Sequence, residues 1–257
     1  MTRKNFAFSV ATAFAIGIIA GCNNDPVAPP AQQGESPTVP SGVTVIYSDG
    51  FASIDTTKWA KNYMINMGDF YSHMRITTDA FHTGTHSVTS DSNRKALLYT
   101  LSDSLSIRTG IAGVQFYMMA KALGQANFTV EIGKNAGSSG GLGYAFGIGF
   151  DPNDSIKCKY FDMLGNQTVV DAMIAPIQLN HWYKCVVEVN FTAKTVTYSI
   201  DDATITKPMP AAADMSKIDR MLVFRGASVG RSDGFTNVDC VDGPKQYYAD
   251  DIVLYNK

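Results

Sequence analysis

Residues 187–202 read VEVNFTAKTVTYSIDD, and the alternation in this stretch decides the fold class. Val187 and Val189 keep phase on one side of FTAK (191–194), and Val196, Tyr198 and Ile200 keep phase on the other. A period of two belongs to a strand with one buried face, because successive side chains point to opposite sides. A hairpin closed at 191–194 therefore places all five residues on one core face. Such a face has to pack against a second layer, and the neighbouring sequence supplies further strands for that layer.

Runs rich in Val, Ile, Tyr, Phe and Thr recur along the chain: AGVQFYMMAKA (112–122), NFTVEIGK (127–134), GYAFGIGF (143–150), SIKCKYFDM (155–163), WYKCVVEVNF (182–191), KTVTYSIDD (194–202), DRMLVFRGAS (219–228) and YYADDIVLY (247–255). Between them stand NAGSSGG, DPND, LGN, FTAK and DDAT, which carry the Gly, Pro, Asn and Asp that tight reversals use. Short connections imply antiparallel neighbours, and helical periodicity is absent, so the expectation is an all-β chain with sheet packed on sheet. Cys158 is in phase with Ile156 and Tyr160, and Cys185 with Val187, so both thiols point inward. A disulfide between these two and a pair of free core thiols both remain open at this point. With Cys22 and Cys240 they make up the four cysteines of the chain.

The N-terminus carries a different signal. Arg3 and Lys4 precede FAFSVATAFAIGIIA, an uncharged apolar run of 15 residues, too short for a span of about 20 residues and flanked like an export signal. It ends at IAGC, where small residues directly before a cysteine resemble the lipobox of bacterial lipoproteins. That resemblance implies acylation of Cys22 after removal of residues 1–21; an ordinary signal peptide with a chance cysteine is the alternative. Residues 22–42 follow as a tether, since the stretch after Cys22 holds five prolines in 20 residues and almost no large apolar side chain. Residues 43–257 then form one domain. Loss of Arg3 and Lys4 moves the formal net charge from -2 to -4. No basic block remains, which argues against nucleic acid as a partner, since phosphate binding needs clustered Lys and Arg.

YSDGFASIDTTKW (47–59), HTGTHSVTS (82–90), the 181–202 hairpin and YYADDIVLY (247–255), in that order and spacing, resemble the concanavalin A-like lectin/glucanase jelly rolls, including the laminin-G-like members. The resemblance covers nearly all of residues 43–257. It implies a two-sheet antiparallel sandwich whose concave sheet forms a ligand groove and whose first and last strands lie side by side. It also implies a structural calcium ion near those two strands, with Asp49 joined by Asp250 or Asp251, because calcium takes hard oxygen ligands. Strict alternation allows only one of the last two to point into a given site. A metal-free strand edge, with one aspartate solvated and the other hydrogen-bonded to a loop, is the competing expectation.

Glycoside hydrolases of that family carry a Glu-x-Asp-x-x-Glu strand, which supplies the paired carboxylates of glycosidic cleavage. No such strand occurs here: after Glu35 of the tether only Glu131 and Glu188 remain, and Glu188 sits at a solvent-side position of its strand. DPND (151–154) reads as a turn with Pro152 in second place. Polysaccharide lyases of the same architecture use Arg, His, Gln and Tyr instead, and residues 70–86 gather His73, Arg75, His82 and His86. Those histidines match no zinc spacing, and lone histidines in a loop-rich stretch more often simply face solvent.

In GGLGYAFGIGF (140–150), Tyr144, Phe146, Ile148 and Phe150 alternate with Ala145, Gly147 and Gly149. That is strand alternation, not a phosphate loop, which must lead into a helix N-terminus. One face is large and the other nearly bare, as where a ligand or another chain segment approaches closely. If the neighbouring strands share the sheet, parity puts Tyr117, Glu131, Lys159 and Phe161 on the bare side. The expected function is a surface-anchored module whose groove binds a polysaccharide above Gly147 and Gly149, with His73 and Arg75 as the second place to look. Membrane contact is through the N-terminal lipid only. A carbohydrate-active enzyme such as a lyase, or an adhesive lipoprotein without a sugar ligand, is the alternative.

Overall fold

The computed structural model describes residues 37–53, 59–60, 74–90, 96–100, 105–122, 126–135, 142–151, 155–161, 167–174, 176–211, 213, 215–227 and 247–257. Every regular element among them is a strand: β1 (Thr44–Asp49), β2 (Trp59–Ala60), β3 (Met74–Thr77), β4 (Ser87–Ser90), β5 (Ala96–Thr100), β6 (Ile111–Ala120), β7 (Ala126–Asn135), β8 (Leu142–Asp151), β9 (Ser155–Phe161), β10 (Gln167–Ile174), β11 (Tyr183–Asn190), β12 (Thr195–Ile200), β13 (Ala203–Pro208), β14 (Arg220–Ala227) and β15 (Tyr247–Asn256). They form two antiparallel sheets. One has eight strands in the order β13-β12-β11-β6-β15-β4-β3, with β1 also paired to β15; the other has seven in the order β10-β9-β8-β7-β14-β5-β2. The protein is an all-β, two-sheet antiparallel jelly-roll sandwich.

The decisive hairpin is β11–β12, with Cys185 opposite Ile200, Val187 opposite Tyr198 and Val189 opposite Val196. Its turn is fixed locally. Asn190 Oδ1 accepts from the N–H groups of Thr192 (3.0 Å) and Ala193 (2.8 Å), and Lys194 takes the left-handed conformation (φ 54°) that closes the reversal. First and last strands lie side by side, with Asp49 opposite Ile252. The core is filled by the alternating inward residues of both sheets, among them Phe116, Val187 and Tyr198 from one and Phe146, Ile148 and Phe150 from the other, all at most 1% exposed. Each such side chain contributes roughly 1.5–3 kcal/mol through burial.

Cys158 and Cys185 are buried and neither is in a disulfide. The Cys158 thiol donates to Met173 Sδ at 2.9 Å, so the disulfide alternative is not adopted. Cys240 lies outside the described residues, as do residues 1–36 with Cys22. One expectation about the sheets needs correction. Tyr117 is on β6, in the eight-stranded sheet, whereas Glu131, Gly147, Gly149 and Lys159 are in the seven-stranded one. Parity alone cannot assign a strand to a sheet, because a jelly roll moves the chain between its two layers.

Candidate functional site

The outward face of the seven-stranded sheet can be built row by row from its register. In the central row Lys159 stands opposite Gly147, Gly147 opposite Glu131 and Glu131 opposite Leu222. The next row runs from Lys157 through Gly149 to Thr129, and the row on the other side from Phe161 through Ala145 and Gly133 to Arg220. The side chain of Phe161 is outside the described set. β8 thus contributes a column of Ala145, Gly147 and Gly149 between two strands with polar side chains, while its inward residues Phe146, Ile148 and Phe150 enter the core.

That bare column is used first by the sheet itself. A Cβ on Gly147 would lie 2.7 Å from both Glu131 Cγ and the Val130 carbonyl oxygen, and one on Gly149 would lie 2.5 Å from the Phe128 carbonyl and against Thr129 Cγ2. Side chains of β7 therefore lie across the glycines of β8, and the Thr129 hydroxyl donates to Glu131 Oε1 at 2.8 Å. Glu131 and Lys159 are both 0% exposed. They form a buried polar floor, where charged groups are tolerated only with partners. Lys157, half-buried, is the more accessible polar group of these rows. Among the described side chains of β7, β8, β9 and β14, Glu131 is the only carboxylate on the outward face. The pair that glycosidic cleavage requires, about 5–9.5 Å apart, is not formed by them.

The opposite sheet holds the other singled-out residues. Tyr117 faces outward from β6 and stacks on His82, with ring centroids 3.5 Å apart and an interplanar angle of 13°, and Trp182 meets His82 edge-on at 5.9 Å. Burial, then Asp251 and Asp201, push the Tyr117 phenol above its ordinary pKa. The His/Arg cluster does not converge among the described residues. Arg75 on β3 pairs with Asp79 at 3.7 Å, both well exposed, His86 contacts its neighbour Thr85, His82 turns to the acidic pair, and His73 lies outside the described residues.

Asp250 and Asp251 break the alternation that the sequence implied. β15 carries a bulge, with Asp250 opposite Tyr117 but Val253 opposite Gln115, and Asp251 adopts φ 49°. The extra residue re-aims the chain, so both carboxylates reach residues 82–83. The N–H groups of His82 and Thr83 donate to Asp250 Oδ2 (2.7 and 3.4 Å), and the Asp251 N–H donates to Asp250 Oδ1 (2.8 Å). His82 Nδ1 lies 2.7 Å from Asp251 Oδ2, and the Thr83 hydroxyl donates to Asp251 Oδ1. Burial raises the Asp250 pKa to about 8; Asp251 adds to the rise and the backbone N–H donors oppose it. The expectation that one aspartate is solvated therefore fails, since both are fully buried.

Asp49 sits at the junction with β15 but turns to its own neighbours. It accepts from the Tyr47 hydroxyl (2.8 Å), the Phe51 N–H (2.7 Å) and the Trp59 indole N–H (2.6 Å). All six oxygens of the three carboxylates are thus engaged by N–H or O–H groups or by the His82 ring, whereas a calcium ligand must offer a lone pair to the ion. As arranged, the three residues do not fit a calcium cage, and no group of three or more His, Cys, Asp or Glu side chains among the described residues is placed to hold a metal ion.

No family model matches the sequence, and no match is found among curated proteins. Solved structures of the same shape are found. A non-specific endo-β-1,3(4)-glucanase of family GH16 is 12% identical over 87% of this chain and 94% of its own, with a TM-score of 0.55. The catalytic domain of an endo-1,3-β-glucanase (laminarinase) from Thermotoga petrophila is 10% identical, covering 84% of this chain and 98% of its own, also with a TM-score of 0.55. LamAcat from Zobellia galactanivorans gives 11%, 83%, 98% and 0.55. At these identities the likeness establishes one thing: this chain has the jelly-roll fold of those structures.

Proposed function

We propose that residues 43–257 form a glycan-binding domain, that the glycan lies on the outward face of the seven-stranded sheet, and that acylated Cys22 anchors the protein to a bacterial cell envelope. The observation that carries the binding face is the central row, in which buried Lys159 and Glu131 flank Gly147 on a sheet where the described outward residues of β8 are Ala145, Gly147 and Gly149. A sugar presents flat C–H faces ringed by hydroxyls, and fixed charged groups beside a strand without bulky outward side chains suit that chemistry. The shared fold adds support, since solved structures of this shape are named as glucanases. Binding without hydrolysis is preferred to catalysis because Glu131 has no second carboxylate beside it among the described outward side chains.

A glycan array probed with the mature domain tests the reading, followed by product analysis of every glycan retained. The reading expects retention with the glycan intact. Release of shorter saccharides would establish hydrolysis, and products absorbing as unsaturated uronates would establish a lyase; either result overturns the binding-only assignment. For the anchor, Cys22→Ser is expected to release the protein from the membrane fraction, and a variant that stays membrane-bound contradicts acylation at Cys22.

A further inference from the structure

A second feature lies away from that face, where β13, the edge of the eight-stranded sheet, and β10, the edge of the seven-stranded sheet, leave the sandwich open between them. A cavity of about 270 Å³ enters there. Phe146, Tyr160 and Val170 line it from the seven-stranded sheet, Val196, Tyr198 and Lys207 line it from the eight-stranded one, and the more exposed Pro208 and Pro210 complete the lining at the mouth. Protein interiors are close-packed with few voids larger than a water, so a hole of this size between two sheets calls for a cause in the sequence.

The cause is β13. Its inward positions are Ala203, Ile205 and Lys207, set opposite Ile200, Tyr198 and Val196. At the row where the core would close, the chain supplies a lysine, whose charged head must stay wet and whose stem is thin. Pro208 then ends the strand, and a proline has no N–H with which to recruit another. The walls are held in place. Tyr160 stacks on Tyr144 (centroids 6.1 Å apart, planes 11° apart) and lies tilted against Phe146 (5.6 Å, 30°), and the Tyr198 hydroxyl donates to the Lys159 carbonyl at 3.2 Å, which keeps that ring from swinging across.

We propose that this slot is a preformed binding site for a neutral, flat aromatic group of one or two rings. An apolar cavity of roughly 150 Å³ accepts benzene, so about 270 Å³ leaves room for a bicyclic ring system. Ring walls favour a ring occupant over an alkyl chain, because offset and edge-on aromatic pairs add to the gain from burial alone. The site is separate from the glycan face and does not depend on it.

Thermal unfolding of the whole domain with indole as probe tests the proposal, since a ligand that binds only the folded state raises the midpoint by mass action. Indole is expected to raise it by a few degrees and to saturate, decanoate to have a smaller effect, and Pro210→Trp, which plugs the mouth, to abolish the indole shift. No shift with indole, an equal shift in folded Pro210→Trp, or a larger shift with decanoate than with indole overturns the proposal. Should Pro210→Trp fail to fold, methyl NMR of the unmodified protein decides. Saturable perturbation of the Val170 and Val196 methyls by indole supports the site, and perturbation confined to other methyls refutes it.

Discussion

Replacing Gly147 by alanine adds one methyl at a place the structure has already filled. The new Cβ would stand 2.7 Å from Glu131 Cγ and 2.7 Å from the Val130 carbonyl oxygen. Glu131 can swing aside, but the Val130 carbonyl belongs to the β7–β8 ladder, where Val130 is paired with Ile148. Overpacking a well-filled site costs about 1–3 kcal/mol. Where space allows, Gly→Ala stabilises instead, by about 0.4–1 kcal/mol through the unfolded chain, so the sign of the effect is diagnostic. For a domain of this size the melting temperature should fall by about 2–4 °C for each kcal/mol. Glu131→Ala removes the Cγ contact and leaves the carbonyl contact, so the double variant should be less destabilised than the sum of the singles by about 0.5 kcal/mol or more. Chemical denaturation of the four proteins measures this. A neutral or stabilising Gly147→Ala, or strict additivity in the cycle, would refute the packing of Glu131 across the glycine.

The opposite sheet uses the same device, and two further predictions follow from it and from the acidic pair. A Cβ on Gly113 would enter the ring of Tyr255, which crosses that glycine so that its hydroxyl donates to Glu188 Oε1 at 2.7 Å; Gly113→Ala should therefore destabilise by about 1–3 kcal/mol, and Tyr255→Phe, which loses only the hydrogen bond, by about 1 kcal/mol, both read by equilibrium denaturation. Because Asp49, Asp250 and Asp251 are engaged by N–H and O–H donors and His82, a chelator and millimolar calcium should give the same unfolding midpoint; a rise of several degrees in calcium would restore the ion that the family resemblance implied.

The fold was legible because its signal is local. The 187–202 alternation, and the alternation of Phe146, Ile148 and Phe150 with Gly147 and Gly149, each specify a strand and its buried face without reference to the rest of the chain. β13 was harder to see, since its inward residues Ala203, Ile205 and Lys207 include one large apolar side chain. The site was half legible for the same reason. Parity correctly grouped Glu131, Gly147 and Lys159, whose strands are neighbours, but misplaced Tyr117, because which sheet a strand joins is decided by contacts between distant segments. The acidic pair could not be read by parity at all: a single bulge residue with positive φ at Asp251 turns two alternating carboxylates into convergent ones, and nothing in the local composition announces it.

The most direct test of the binding face is charge reversal on one sheet against charge reversal on the other. Lys157 lies on the outward face of the seven-stranded sheet, opposite Gly149, and Lys184 lies on the outward face of the eight-stranded sheet, opposite Tyr117; both are half-buried. With a glycan retained on the array, titration calorimetry should show Lys157→Glu weakening affinity by about ten- to a hundredfold, the worth of one hydrogen bond to a charged group, while Lys184→Glu leaves it unchanged. The reverse pattern, affinity lost with Lys184→Glu and kept with Lys157→Glu in folded proteins, would place the glycan on the other sheet and contradict the account.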